Sequence, residues 1–113
     1  MEDNSLMIMN LIIHAGDAKS SAMEAIYAAK KKDFDLANEK IKEANAKINQ
    51  AHNTQTNLLT EEANGNHTEL SLLMIHAQDH LMTALTFLDM AKELIDVYSA
   101  METLKAERGT DGE

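Results

Sequence analysis

Residues 70–101, LSLLMIHAQDHLMTALTFLDMAKELIDVYSAM, decide the fold class of this chain. The segment contains neither proline nor glycine and is rich in residues that favour helices. Because successive residues of an α-helix are rotated by about 100°, its apolar side chains fall on two opposite faces. The first face holds Leu70, Met74, Ala77, Leu81, Ala84, Leu88, Ala91 and Ile95, and the second face holds Leu72, Ile75, Met82, Met90, Val97 and Met101. The segment therefore predicts one long helix that is apolar on two sides.

A helix that is apolar on two sides needs packing partners on both. In a helical bundle, one apolar stripe is enough to cover the core of the protomer. The second face of helix three is therefore predicted to pack against other copies of the chain. The residues alone leave a dimer and a trimer equally open.

Two further helical segments precede this one. Helix one is predicted over residues 5–32, helix two over 34–63, and helix three over 69–105. Because short breaks separate them, neighbouring helices should run antiparallel, which predicts an all-α, up-down-up three-helix bundle. Residues 1–105 are expected to form a single domain, and residues 106–113 an acidic flexible tail.

Capping residues mark the breaks between the helices. Asp33 or Asp35 is expected to cap helix two, because a carboxylate at this position accepts a hydrogen bond from a free backbone N–H. Residues 64–66, Asn-Gly-Asn, are typical of a turn. Thr68 is the expected cap of helix three.

Composition excludes several classes of function. The chain has 113 residues, with ten basic against nineteen acidic side chains and a net charge of −9. This charge argues against nucleic-acid binding, which depends on Lys and Arg. The absence of cysteine excludes disulfides and thiolate chemistry. The acidic first residues and the lack of a long apolar run predict a cytoplasmic protein.

Three ionisable residues, His76, Asp79 and His80, interrupt the apolar segment. Ionisable groups are rarely buried unless they are paired or bound to a metal. Asp79 lies near the centre of the second face, so in a symmetric oligomer it would meet its own copies. Such carboxylates would share protons, hold water or bind a divalent cation. His76 lies at the edge of that face, with His80 one turn beyond it.

The residues alone leave three interpretations of this cluster open. His76 and His80 can be satisfied interface histidines, with Asp79 fixing the register of assembly. Histidines at i and i+4 can also chelate zinc, although H-x-x-D-H lacks the glutamate of H-E-x-x-H and no third ligand is evident. In the third interpretation one imidazole acts as a nucleophile. His14, His52 and His67 are interpreted as structural or solvated.

Residues 76–83, HAQDHLMT, resemble the signature of the enzyme IIA component of the lactose/cellobiose (including chitobiose) family of the bacterial sugar phosphotransferase system. Three other segments match this family in the same order: residues 12–20 (IIHAGDAKS), 32–34 (KDF) and 51–56 (AHNTQT). The resemblance extends over about residues 6–100. The signature in helix three is its most specific part.

The resemblance implies an all-helical homotrimer that relays a phosphoryl group during uptake of a β-disaccharide such as lactose, cellobiose or chitobiose. The donor would be the phosphocarrier protein HPr and the acceptor a cysteine of enzyme IIB. In this sequence the phosphorylated imidazole corresponds to His76 and the axial metal-binding aspartate to Asp79. His80 and Gln78 correspond to neighbours of the phosphoryl site. Gln78 cannot share a face with His76, so its contact would come from another subunit.

The resemblance also implies a divalent cation at the trimer axis, with Mg²⁺ the expected ion and a structural role. The membrane would be contacted only indirectly, through the enzyme IIC permease. Two alternatives remain from the residues. One is a metal-binding helical module that uses His76, Asp79 and His80 together, and the other is a purely structural helical oligomer.

Overall fold

The computed structural model describes residues 5–111, and the side chains of residues 5–109. Three helices follow one another: α1 is Ser5–Lys30, α2 is Phe34–Ala63 and α3 is Leu72–Asp111. The described part of the chain contains no strand, so the all-α class is confirmed. None of its helices is both long and apolar enough to cross a membrane.

The core is built from small residues on α1 that let the other two helices approach closely. Leu11 and Leu81 are the largest side chains with almost no exposure, and most of their buried neighbours are alanines. α1 packs against both other helices, whereas α2 and α3 are in looser contact with each other. The buried residues of α3 are Met74, Ala77, Leu81, Ala84, Leu88, Ala91 and Ile95. The predicted first face is thus confirmed except for Leu70, which precedes α3 and is 81% exposed.

The second face of α3 is uncovered in the single chain. Leu72, Ile75, Met82, Met90, Val97 and Met101 are each more than half exposed. These side chains add nothing to the core of their own protomer. The exposed apolar surface is therefore available to other copies of the chain.

The first turn connects α1 to α2 as predicted, with one difference. Helix one was predicted to reach residue 32, but α1 ends at Lys30 because Lys32 has a left-handed backbone with φ 68°. Asp33 is the N-cap of α2, and its Oδ1 accepts a hydrogen bond from the Leu36 N–H at 3.1 Å. The prediction of an aspartate cap is therefore confirmed for Asp33 and not for Asp35.

The second turn differs more from the prediction. Gly65, just past the end of α2, has φ 91°, a backbone conformation that glycine adopts easily. The prediction that Thr68 caps helix three is wrong: the Oγ of Ser71 accepts the Met74 N–H at 3.1 Å, and α3 begins at Leu72 rather than at residue 69. The cap lies three residues further on because residues 66–71 are not helical.

The end of α3 also differs from the prediction. The helix continues beyond residue 105 to Asp111. Residues 112–113 lie outside the described part of the chain. The division into a domain of residues 1–105 and a flexible tail of 106–113 stays a prediction.

Ion pairs join the helices near the first turn. Lys40 of α2 lies 3.4 Å from Glu24 of α1 and 3.4 Å from Glu43. The charges of these carboxylates, Glu24 first, raise the pKa of Lys40. Lys32 pairs with Glu102 of α3 at 3.6 Å. Because most of these side chains are open to solvent, the pairs add little to the stability of the fold.

Candidate functional site

His76 and His80 form a stacked pair on α3. Their ring centroids are 5.6 Å apart and the ring planes differ by 18°. His76 is exposed, whereas His80 is half-buried. The two residues are one turn apart, so the helix itself aligns the rings. The arrangement leaves the His76 imidazole accessible from outside the chain, with the imidazole of His80 stacked against it.

Helix α1 comes close to this pair at Gly16. A Cβ atom placed on Gly16 would lie 3.4 Å from Nε2 of His80. The missing side chain therefore lets the His80 ring lie directly against the backbone of α1. Sequence reasoning did not identify Gly16 as a site residue. The available signal was a glycine inside a helix, which costs roughly 1 kcal/mol relative to alanine.

Asp79 does not join the histidines within one chain. Its carboxylate is exposed on the second face of α3, between Ile75 and Met82. Within the described residues no group of three or more His, Cys, Asp or Glu could hold a metal ion. The three-ligand module of His76, Asp79 and His80 is therefore not formed in a single chain. A metal at Asp79 would need carboxylates from several copies.

Gln78 faces α2, away from His76 of its own chain. Nε2 of Gln55 donates a hydrogen bond to Oε1 of Gln78 at 2.7 Å, and both side chains are half-buried. Nε2 of Gln78 lies 3.8 Å from the sulfur of Met74. The bond uses the carbonyl of Gln78 and leaves its amide group as a donor. Gln55 belongs to a segment singled out in the sequence, but its bond to Gln78 was not predicted.

We expect Gln55→Ala to lower the free energy of unfolding by about 1 kcal/mol, because it leaves a half-buried carbonyl without its donor. Urea unfolding of the wild type and of Gln55→Ala at equal protein concentration measures this difference in free energy. Gln50→Ala, on the exposed side of α2, is the matched control and should change stability by less than about 0.5 kcal/mol. Equal effects of the two substitutions would contradict a role for the Gln55–Gln78 bond.

The other three histidines make no ring contact with the stacked pair in the described part of the chain. His67 contacts Glu62 in the second turn, and His52 is exposed on α2. His14 is half-buried, and its Nδ1 has no hydrogen-bond partner among the described residues. The structure thus brings together only two of the five histidines.

An open groove of about 450 Å³ runs between α1 and the second face of α3. Most of its lining is apolar, with one cation at its α1 side. The lining residues are Lys19, Met82, Thr83, Thr86, Phe87 and Met90. The groove extends the exposed apolar surface of α3 towards α1.

Comparison with known protein families gives a match over nearly the whole chain. A sequence model of the family described as "PTS system, Lactose/Cellobiose specific IIA subunit" matches residues 6–99. The lichenan-specific phosphotransferase enzyme IIA component of Bacillus subtilis is 46% identical over 108 residues, covering 96% of each chain. The lactose-specific EIIA component of Staphylococcus epidermidis is 45% identical over 97 residues, covering 86% of this chain and 93% of that protein.

Solved structures of related proteins have a similar fold. The PTS cellobiose-specific enzyme IIA from Bacillus anthracis has a TM-score of 0.88 at 44% identity, and the match covers 91% of this chain and 94% of that one. The IIA(Chitobiose) chain in a complex with HPr, from the Escherichia coli phosphotransferase system, has a TM-score of 0.78 at 33% identity, covering 90% of this chain and 99% of that one.

Proposed function

This chain belongs to the lactose/cellobiose-specific IIA family of the sugar phosphotransferase system and is a phosphotransferase component of disaccharide uptake; we propose that His76 carries its phosphoryl group. The stacked pair carries this proposal. His76 is exposed, and the half-buried His80 stacks against it. An imidazole that must meet two partners in turn has to be accessible, and His76 is the accessible member.

We propose HPr as the donor and a cysteine of enzyme IIB as the acceptor. A related IIA chain has been solved in complex with HPr, which supports the donor. A lone pair on a neutral His76 nitrogen attacks the phosphorus in line with the departing histidine nitrogen of HPr, so one N–P bond forms as the other breaks. The cysteine thiolate then attacks the same phosphorus, and the electron pair of the N–P bond returns to His76.

His80 is proposed to assist the transfer through charge. Phosphoryl transfer depends mainly on positioning and on stabilising the equatorial oxygens. The stack places a second imidazole 5.6 Å from that of His76, centroid to centroid. A ring N–H of His80 is proposed to donate to the oxygens of the transferred group. In the assembled protein, Gln78 of a neighbouring copy is proposed as a second donor.

We further propose that the protein is a homotrimer assembled through the second face of α3. The exposed apolar side chains of this face and the adjoining groove support the proposal. Asp79 would then meet its copies near the three-fold axis. Oxygen ligands suit a divalent cation such as Mg²⁺, which would cancel the repulsion between carboxylates and take no part in the transfer.

Asp79→Leu should leave the trimer intact, because it removes like charges from an apolar interface and adds apolar surface. Sedimentation equilibrium with and without a chelator measures the assembly. We expect the wild-type trimer to dissociate more readily when the chelator removes the metal. The association of Asp79→Leu should be the same with and without the chelator. Dissociation of Asp79→Leu would contradict this account and would make the metal essential for assembly.

The cellular setting follows from the proposed partners. A protein that receives its phosphoryl group from HPr acts in the cytoplasm, and it meets the membrane only through the enzyme IIC permease. The net charge of −9 favours partners that present a basic docking surface, because long-range attraction raises the rate of encounter. The alternative of a purely structural oligomer has no observation in its favour.

A further inference from the structure

We infer that Gly16 is a positioning residue for phosphoryl transfer: it leaves the space in which the His80 ring lies, and through the stack it orients His76. This inference deepens the proposed function and rests on it. It is carried by the contact between Gly16 and His80 together with the contact between the two histidine rings.

Helices α1 and α3 come into contact at Gly16 and His80. Nε2 of His80 is the nearest atom from the rest of the molecule to the place where a Gly16 side chain would begin, at 3.4 Å. This is van der Waals contact, so a methyl group would just fit and any larger side chain would displace the ring. The position of the His80 ring relative to α1 therefore requires a residue no larger than alanine at position 16.

His80 in turn is stacked on His76. The rings of His76 and His80 are nearly parallel, with an interplanar angle of 18°. A His80 ring displaced from α1 is expected to change its distance from the His76 ring or the angle between the two rings. Either movement changes the direction in which His80 can donate to a group on His76.

The glycine at position 16 lowers the stability of its helix. Gly16 lies inside α1, where alanine would stabilise the helix by roughly 1 kcal/mol. Its backbone needs no positive φ, since the positive-φ glycine of the described chain is Gly65. Backbone conformation therefore does not explain the glycine, whereas the closeness of His80 explains why residue 16 is small.

The test is a size series at Gly16, made in wild type and in a His80→Ala background. Gly16→Ala should fold at least as stably as wild type and transfer at nearly the wild-type rate. Gly16→Leu should lower kcat for transfer from phosphorylated HPr by about tenfold or more with little change in KM, the effect of misplacing a group at the reacting centre. In the His80→Ala background, Gly16→Leu should change kcat by less than about twofold, because the residue it displaces is gone.

Matched controls separate positioning from stability. Gly109→Leu, where a Cβ would meet nothing within 4 Å, should leave kcat unchanged. If Gly16→Leu fails to fold, Gly16→Met is used in its place. The measurement is then the chemical shift of the His80 side-chain ¹⁵N resonances, which should differ from that of wild type. An equal loss of kcat in both backgrounds, or unmoved His80 signals, would overturn the inference. If His76→Ala still accepts the phosphoryl group at the wild-type rate, the proposed function is wrong. This result differs from those that would overturn the inference about Gly16.

Discussion

His76→Ala is expected to abolish phosphoryl uptake from HPr, slowing it by at least about 10³-fold, the scale on which loss of a covalent nucleophile acts. The substitution removes the nitrogen that bonds to phosphorus, and His80 cannot replace it because it is half-buried behind that position. The fold should be unaffected, since His76 is exposed and contributes nothing to the core. Transfer of an isotopically labelled phosphoryl group from phosphoenolpyruvate, through enzyme I and HPr, measures the rate.

His67→Ala is the matched control for this experiment. His67 is also exposed, but it contacts Glu62 in the second turn, away from the stacked pair. The control should accept the label at the wild-type rate. If His76→Ala were labelled as fast as wild type, the assignment of His76 would be wrong.

The second large effect concerns assembly: Val97→Glu is expected to dissociate the trimer. Val97 lies on the second face of α3 and is 52% exposed in the single chain. In the trimer the variant would bring three carboxylates into an apolar interface, and an unpaired buried charge costs several kcal/mol. We expect the dissociation constant of the assembly to rise by at least about 10³-fold. Sedimentation equilibrium gives the mass of the assembly over a range of concentrations.

Leu59→Glu provides the control for added charge. Leu59 is 60% exposed but lies on α2, outside the second face of α3. This variant should remain a trimer, and both variants should keep their helical circular dichroism because neither residue is in the core. A trimeric Val97→Glu protein would mean that the second face of α3 is not the interface.

Much of the fold could be predicted because the pattern of the sequence is local. The predicted bounds of helix two, residues 34–63, agree with α2, and the buried residues of α3 follow the predicted periodicity from Met74 to Ile95. Asp33 was identifiable because a cap acts within a few residues of itself. The choice between Thr68 and Ser71 was missed, since both can cap a helix and only the path of the chain before α3 decides between them.

In the candidate site, contacts within one helix could be predicted from the sequence, and contacts between helices could not. The pairing of His76 with His80 follows from their spacing on one helix. The contacts of Gly16 with His80 and of Gln55 with Gln78 each join two helices, so they depend on how the helices align. That alignment results from packing of the whole core, so it cannot be predicted from any short segment of the sequence. The proposed metal site at Asp79 needs carboxylates from other copies of the chain, so a single chain does not contain it.

The most direct test of the account is to locate the phosphoryl group on the wild-type protein. After incubation with phosphoenolpyruvate, enzyme I and HPr, the intact mass should rise by about 80 Da, one phosphoryl group per chain, and acid treatment should reverse the gain. Peptide mapping under alkaline conditions should then place the group on His76 within residues 76–83. No gain in mass, or a phosphoryl group on another histidine such as His52, would contradict the account.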